Sequence, residues 1–187
     1  MDGIFEKAVA FAFKAHSGQK RRAGGMYVLH ALEAATIVGT MTNDEEVLAA
    51  AVLHDTVEDT AVTAEEIKAN FGERVAELVA HETENKRTGL DSKATWKIRK
   101  EESLNMLKES DIESKMLWLG DKLSNMRSIA SDHERIGESV FEKFNQQDPK
   151  EQCWYYGTVL EYIKELSKYQ AYKEYEFLFH KVFKAYE

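Results

Sequence analysis

Four ionisable side chains fall within the six residues His54-Asp55-Thr56-Val57-Glu58-Asp59. They follow directly on Val47-Leu48-Ala49-Ala50-Ala51-Val52-Leu53, a run that is apolar on every side of a helix and therefore suited to burial. Charge carried into a dry environment needs a partner or a metal ion. Read as a continuous helix, His54 and Glu58 stand at i,i+4, as do Asp55 and Asp59, so each pair shares a face. One ring nitrogen and three carboxylates on a dry wall are the donors of a divalent-metal site with a general base beside it.

The elements that must position this patch read as helices almost throughout. The chain has one proline, Pro149, and its ten glycines are scattered. Ile4, Ala8, Phe11, Ala12 and Ala15 form the stripe of a first helix, followed by a polar loop from Ser17 to Gly25. Met26 to Leu29 lead into a helix ending near Val38. Asn43 to Glu46 place acids where a helix N-terminus favours them. Thr63-Ala64-Glu65-Glu66 is a capping-box pattern. Gly72 closes that helix, and the next is expected over Glu73 to Glu84. A loop over Lys86 to Ser92 and a helix over Lys93 to Lys108 should follow. Ser110 to Glu113 cap a helix with the core stripe Ile112, Met116, Leu119, Leu123, Met126 and Ala130.

On the other side of that helix lie Asp121, Asn125 and Ser128. Leu117 and Trp118 share this side, so the helix is apolar twice over and its polar residues should face a cavity rather than bulk water. Ser131 to Pro149 reads as a polar loop with a short helix. Two aromatic-rich helices end the sequence, carrying Val159, Leu160, Ile163 and Leu166, then Tyr172, Tyr175, Phe179, Val182, Phe183 and Tyr186. These stripes read as core packing. The organisation is one all-α domain over 1–187, with 131–187 as a helical extension packed on the core.

Bulk composition narrows the function. A chain of 187 residues can bury a full core. The net charge, 25 − 33 = −8, argues against a nucleic-acid duplex or an anionic membrane as the main partner. It leaves a small anionic substrate open, because local charge governs a pocket. The single Cys153 excludes an intrachain disulfide and points to a reducing, cytoplasmic setting. No apolar run is long enough to span a membrane, and the N-terminal residues do not make a signal peptide. Association between copies is left open.

A His-Asp pair alone is a weak signal; its order and context add the specificity. His30, then His54-Asp55, then Asp121 is the pattern of HD-domain phosphohydrolases, which this chain resembles. The segment from His16 to His30, the box Leu53 to Thr60, Phe71-Gly72-Glu73-Arg74-Val75-Ala76 and Asp121 to Arg127 are similar to RelA/SpoT-type hydrolase domains. With the sequence stopping at Glu187, there is no room for the synthetase and regulatory domains of the large enzymes. The expectation is therefore a small alarmone hydrolase, like the metazoan SpoT homologues. The chain departs from the family's usual residues at Ala23, Gly25-Met26, Ala31 and Trp118, in and around the nucleotide-facing loop.

The resemblance implies a compact HD-domain helical bundle and removal of the 3′-pyrophosphate from ppGpp or pppGpp, with Mn²⁺. It implies His30, His54, Asp55 and Asp121 as metal ligands. Glu58 and Asp59 would position or deprotonate the attacking water; the plain alternative is a solvated helix end. Arg21 and Arg22 would contact phosphate or guanine, with Arg21 matching the family arginine; the alternative is a solvated charge run. Asn125, Ser128 and Tyr27 are the other candidate substrate contacts. Trp154, Tyr155 and Tyr156 read as core packing with pocket lining as the alternative. Two other functions stay open: an HD phosphohydrolase acting on another nucleotide, such as an adenine alarmone or NADPH, and a non-catalytic nucleotide-binding protein.

Overall fold

At the centre of the helical bundle lies α3 (Glu45–Leu53). Asp44 starts it, its carboxylate accepting from the N–H groups of Glu46 and Val47 at 3.0 and 3.4 Å. Val47 and Ala49 through Leu53 are no more than 1% exposed. With side chains this small, α1 (Ile4–Ala15), α2 (Val28–Val38) and α6 (Glu73–Ala80) pack directly against α3. The computed structural model describes residues 3–21, 24–87 and 89–187, and the all-α expectation holds among them.

The expected continuous helix through Asp59 is broken. α3 stops at Leu53, a turn carries His54-Asp55, and a short α4 (Thr56–Asp59) follows. Side chains cause the break by taking backbone acceptors at the helix end. His54 Nδ1 lies 2.8 Å from the Ala51 carbonyl, and Thr56 Oγ1 donates to that of Leu53 at 2.7 Å. α5 (Ala64–Phe71) starts with the anticipated capping box between Thr63 and Glu66. It ends at Gly72, whose φ of 92° suits glycine.

α6 ends at Ala80, not at Glu84. The Trp118 indole donates to the His81 carbonyl at 3.3 Å, and His81 Nδ1 meets Ser114 Oγ at 3.0 Å, both from the neighbouring long helix. Glu84 is drawn out to pair with Arg99 and Lys100 on α7 (Trp96–Glu109), which begins after the expected Lys93. The chain therefore leaves the helix at Ala80, and the acids expected on its last turn face the interior.

The long helix is α8 (Ile112–Ile136), capped by Asp111 accepting from Ser114 N at 2.8 Å. Its predicted stripe is buried except for Ile112 at the exposed end. α8 runs on through Ile136, beyond the loop start expected at Ser131, and a 3-10 turn over Gly137–Lys143 follows. α9 (Pro149–Tyr162) and α10 (Gln170–Phe183) end the fold, and α10 packs along α8. Tyr175 donates to the Tyr156 carbonyl at 2.9 Å, joining α10 to α9.

α2 and α8 cross closely at Gly120, one residue before Asp121. A Cβ there would come within 2.7 Å of Val38 Cγ2 and 2.9 Å of the Ala34 carbonyl oxygen. The second contact is backbone and cannot swing away. Gly120→Ala gains about 1 kcal/mol of helix propensity but forces the helices apart. The expected net result is a loss of about 1–3 kcal/mol in urea denaturation; an unchanged or raised midpoint would contradict this packing.

Candidate metal and phosphate site

Three buried ligand atoms, one each from His30, His54 and Asp121, lie within 4.8 Å of one another. His30 comes from α2, His54 from the end of α3, and Asp121 from the middle of α8. Asp55 joins them from the turn after α3, its Oδ2 2.9 Å from His54 Nε2 and 3.4 Å from His30 Nε2. Asp121 Oδ1 is 3.0 Å from His30 Nε2 and 3.8 Å from His54 Nε2. Of the four residues singled out in the sequence, three offer ligand atoms to one point, and Asp55 lies against both imidazoles beside it.

The outer ring nitrogens determine what the inner ones present. His30 Nδ1 is 2.8 Å from Ser124 Oγ, which donates its one proton to Glu33 Oε2 at 2.7 Å. Ser124 can therefore only accept from His30, so a neutral His30 carries its proton on Nδ1. The Ala51 carbonyl is likewise only an acceptor, which sets the same tautomer for His54. Both Nε2 atoms then aim lone pairs at carboxylate oxygens. His54 Nε2 is fully buried and makes no hydrogen bond, with Asp55 at 2.9 Å. Acceptors facing acceptors are reconciled by positive charge between them, and two imidazoles with two carboxylates suit a divalent ion.

With no ion between them, protons supply that positive charge: burial opposes it, but Asp121 and Asp55 draw His30 up, and Asp55 draws His54 well above its ordinary value. Burial would raise the Asp121 carboxyl, but Lys122 and His30 outweigh it and hold it well below the usual range. Burial likewise opposes the shift at Asp55, which His54 and His30 bring well below that range. Glu58 goes the other way: burial and then the Asp55 charge push it up to about 7. Glu58 lies beside the four and is oriented by the Glu84 N–H, which donates to its Oε2 at 3.0 Å. Asp59 pairs with Lys86. The Tyr27 hydroxyl lies 2.6 Å from both Asp55 Oδ2 and Asp59 Oδ2, and its ring stacks on His16.

A cavity of about 160 Å³ fronts this cluster, lined in part by Glu58, Glu82, Lys100, Trp118, Lys122 and Tyr155. A neighbouring cavity of about 310 Å³ shares Glu58, Asp59, Lys100, Lys122 and Asn125 with it, and Tyr156 and Arg99 help to line it. On the Arg21 side is a third, of about 480 Å³, where Arg21, Tyr27, Asn125 and Ser128 meet. Arg21 donates to Asn125 Oδ1 at 2.5 Å, and Asn125 Nδ2 donates to Asp121 Oδ1 at 2.6 Å. Ser128 Oγ is turned back to the Ser124 carbonyl. Arg22 lies outside the described residues.

Sequence reasoning missed several lining residues. The sequence pattern puts Glu82 and Glu84 on a helix tail and marks no role for Lys100 or Lys122. Lys122 stands inside the recognised Asp121 motif, which was a usable signal. Nothing local marked Glu82, Glu84 or Lys100. Tyr155 and Tyr156 are buried in the core and also line the cavities.

The HD-domain family model matches residues 8–146, and the chain belongs to that family. A Brucella ovis protein named GTP pyrophosphokinase rsh is 36% identical over 128 residues, 68% of this chain and 17% of the relative. An Aquifex aeolicus protein named guanosine-3′,5′-bis(diphosphate) 3′-pyrophosphohydrolase is 38% identical over 124 residues, covering 66% of this chain and 17% of the relative. The chain thus spans 17% of the length of these two relatives. Among solved structures, lmo0812 from Listeria monocytogenes EGD-e superposes with a TM-score of 0.72 at 33% identity, covering 83% of this chain and 99% of that one. A structure described as a metazoan orthologue of SpoT that hydrolyses ppGpp superposes at 0.76 with 24% identity, over 97% of this chain and 96% of that one; this likeness is one of fold. Among the described residues, no helix is long and apolar enough to cross a membrane.

Ser124 offers a test of the tautomer argument. Ser124→Ala leaves His30 Nδ1 without its acceptor and frees the ring. Divalent-ion affinity, measured by titration calorimetry, should fall about 10- to 100-fold. Unchanged affinity would show that the hydroxyl does not orient the ring.

Proposed function

We propose that this HD-domain chain is a metal-dependent phosphohydrolase that removes the 3′-pyrophosphate of ppGpp or pppGpp, leaving GDP or GTP. The observation that carries this reading is the convergence of ligand atoms from His30, His54 and Asp121, with Asp55 against both imidazoles and Glu58 beside them. The named activity of the Aquifex protein supports the choice of nucleotide.

In this reading those four residues hold one divalent ion, Mn²⁺. When bound, the ion supplies charge that makes water more acidic and offsets the charge of the phosphate. Glu58 takes the proton of the attacking water, a role matched by a carboxyl pushed toward neutrality. The water oxygen bonds to the phosphorus on the ribose 3′ oxygen. The bond between that phosphorus and the 3′ oxygen breaks, freeing pyrophosphate, and the proton that Glu58 took from the water goes to the 3′ oxygen to leave the 3′ hydroxyl. Asp59, fixed by Lys86 and Tyr27, helps to position the water. Lys100 and Lys122 line the wall where phosphate charge accumulates. Arg21, Tyr27, Asn125 and Ser128 surround the adjoining space, which suits the nucleoside. The reading places the reaction in the cytoplasm.

The test is product analysis with ppGpp and Mn²⁺. GDP and pyrophosphate should appear, release should stop with a chelator, and Asp55→Asn should abolish it in a folded protein. Turnover of an adenine alarmone or NADPH in place of ppGpp would overturn the substrate and keep the chemistry. Glu58→Gln should lower kcat about 10²- to 10⁴-fold while Mn²⁺ binding persists. A base works deprotonated, so kcat should fall as pH drops through the Glu58 titration, at or below about 7. A rate that rises toward acid would remove Glu58 as the base.

A further inference from the structure

Glu82 is the one carboxylate in this site that none of the preceding interactions accounts for. Both of its oxygens are fully buried and have no hydrogen-bond partner among the described residues. It lines the same cavity as His30, His54, Asp55 and Asp121. Every other acid there is engaged. Asp121 pairs with Lys122, Asp59 with Lys86, and Glu84 with Arg99 and Lys100. Glu58 accepts from the Glu84 N–H, and Asp55 meets two imidazoles and Tyr27.

A buried carboxylate without partners is strongly unfavourable. A proton on Glu82 would cancel the charge but leave an O–H with no acceptor, so it exchanges one unsatisfied group for another. A divalent ion in front of the carboxylate resolves both. Glu82 lies outside the tight group of ligand atoms from His30, His54 and Asp121. Its natural reach to an ion is through one intervening water.

We propose that Glu82 belongs to the metal centre, facing the ion through a water molecule and strengthening its binding, while its unpaired charge destabilises the ion-free fold. This rests on the metal-site reading above. It gives Glu82 a signature with opposite signs. Removing the charge should weaken ion binding and raise the stability of the protein stripped of metal. A merely structural carboxylate would lower stability when removed and leave ion affinity alone.

The experiment titrates Mn²⁺ alone into the chelator-stripped full chain by calorimetry and measures Tm with and without Mn²⁺. It compares wild type, Glu82→Gln and Glu82→Leu. The expected result is a Kd raised about 10-fold or more in both variants, a higher Tm without metal, and a smaller Mn²⁺-induced rise in Tm. Wild-type affinity in both variants overturns the role of Glu82 alone. A wild-type protein that binds no Mn²⁺ overturns the metal centre and this role together.

Discussion

Two hydrogen bonds on the far sides of two imidazole rings govern this molecule. With Nδ1 of His54 committed to the Ala51 carbonyl and Nδ1 of His30 to Ser124, both Nε2 atoms face inward and carry lone pairs whenever the rings are neutral. There they meet Asp55 and Asp121, which have no protons to offer at neutral pH. The arrangement is electrostatically incomplete without positive charge at its centre. The His30 bond extends outward from Ser124 to Glu33, then to Arg127, then to Glu174 on α10. The C-terminal helix thus braces a ring on α2 from the far side of α8.

The rest of the fold serves this convergence. α3 carries alanines and valines so that three helices can approach it, and the turn at its end presents His54 and Asp55 together. Gly120 lets α8 press against α2, which sets Asp121 against His30. His16 and Gln19 tie the loop after α1 to the other end of α4. His16 Nδ1 lies 2.8 Å from Gln19 Oε1, and Gln19 Nε2 donates to the Asp59 carbonyl at 2.7 Å. That tie holds Tyr27 over the acids.

What could be read from the sequence was local or carried by a recognised pattern. The caps at Asp44, Thr63 and Asp111 and the stop at Gly72 are short-range signals, and helices begin or end where they stand. His30, His54, Asp55 and Asp121 were found because their order matches a family, and the inward face of Asp121 followed from the apolar residues around it. The break after Leu53 was not legible, since side chains competing for backbone carbonyls look like ordinary helix residues. Nor was the end of α6 at Ala80, which depends on Trp118 and Ser114 reaching His81 from α8. That single misplacement hid Glu82 and Glu84, because acids on a helix end ordinarily face water. Lys100 was hidden for the same reason: its partner Glu84 lies on a segment that only the tertiary structure pulls inward.

The central claim is that one divalent ion sits among four side chains held by these outer contacts. Anomalous diffraction at the manganese edge from crystals grown with Mn²⁺ tests it most directly. The account predicts one strong peak within bonding distance of His30, His54, Asp55 and Asp121, with both Nδ1 contacts retained. A peak elsewhere, or one that leaves the two imidazoles uncoordinated, would contradict it.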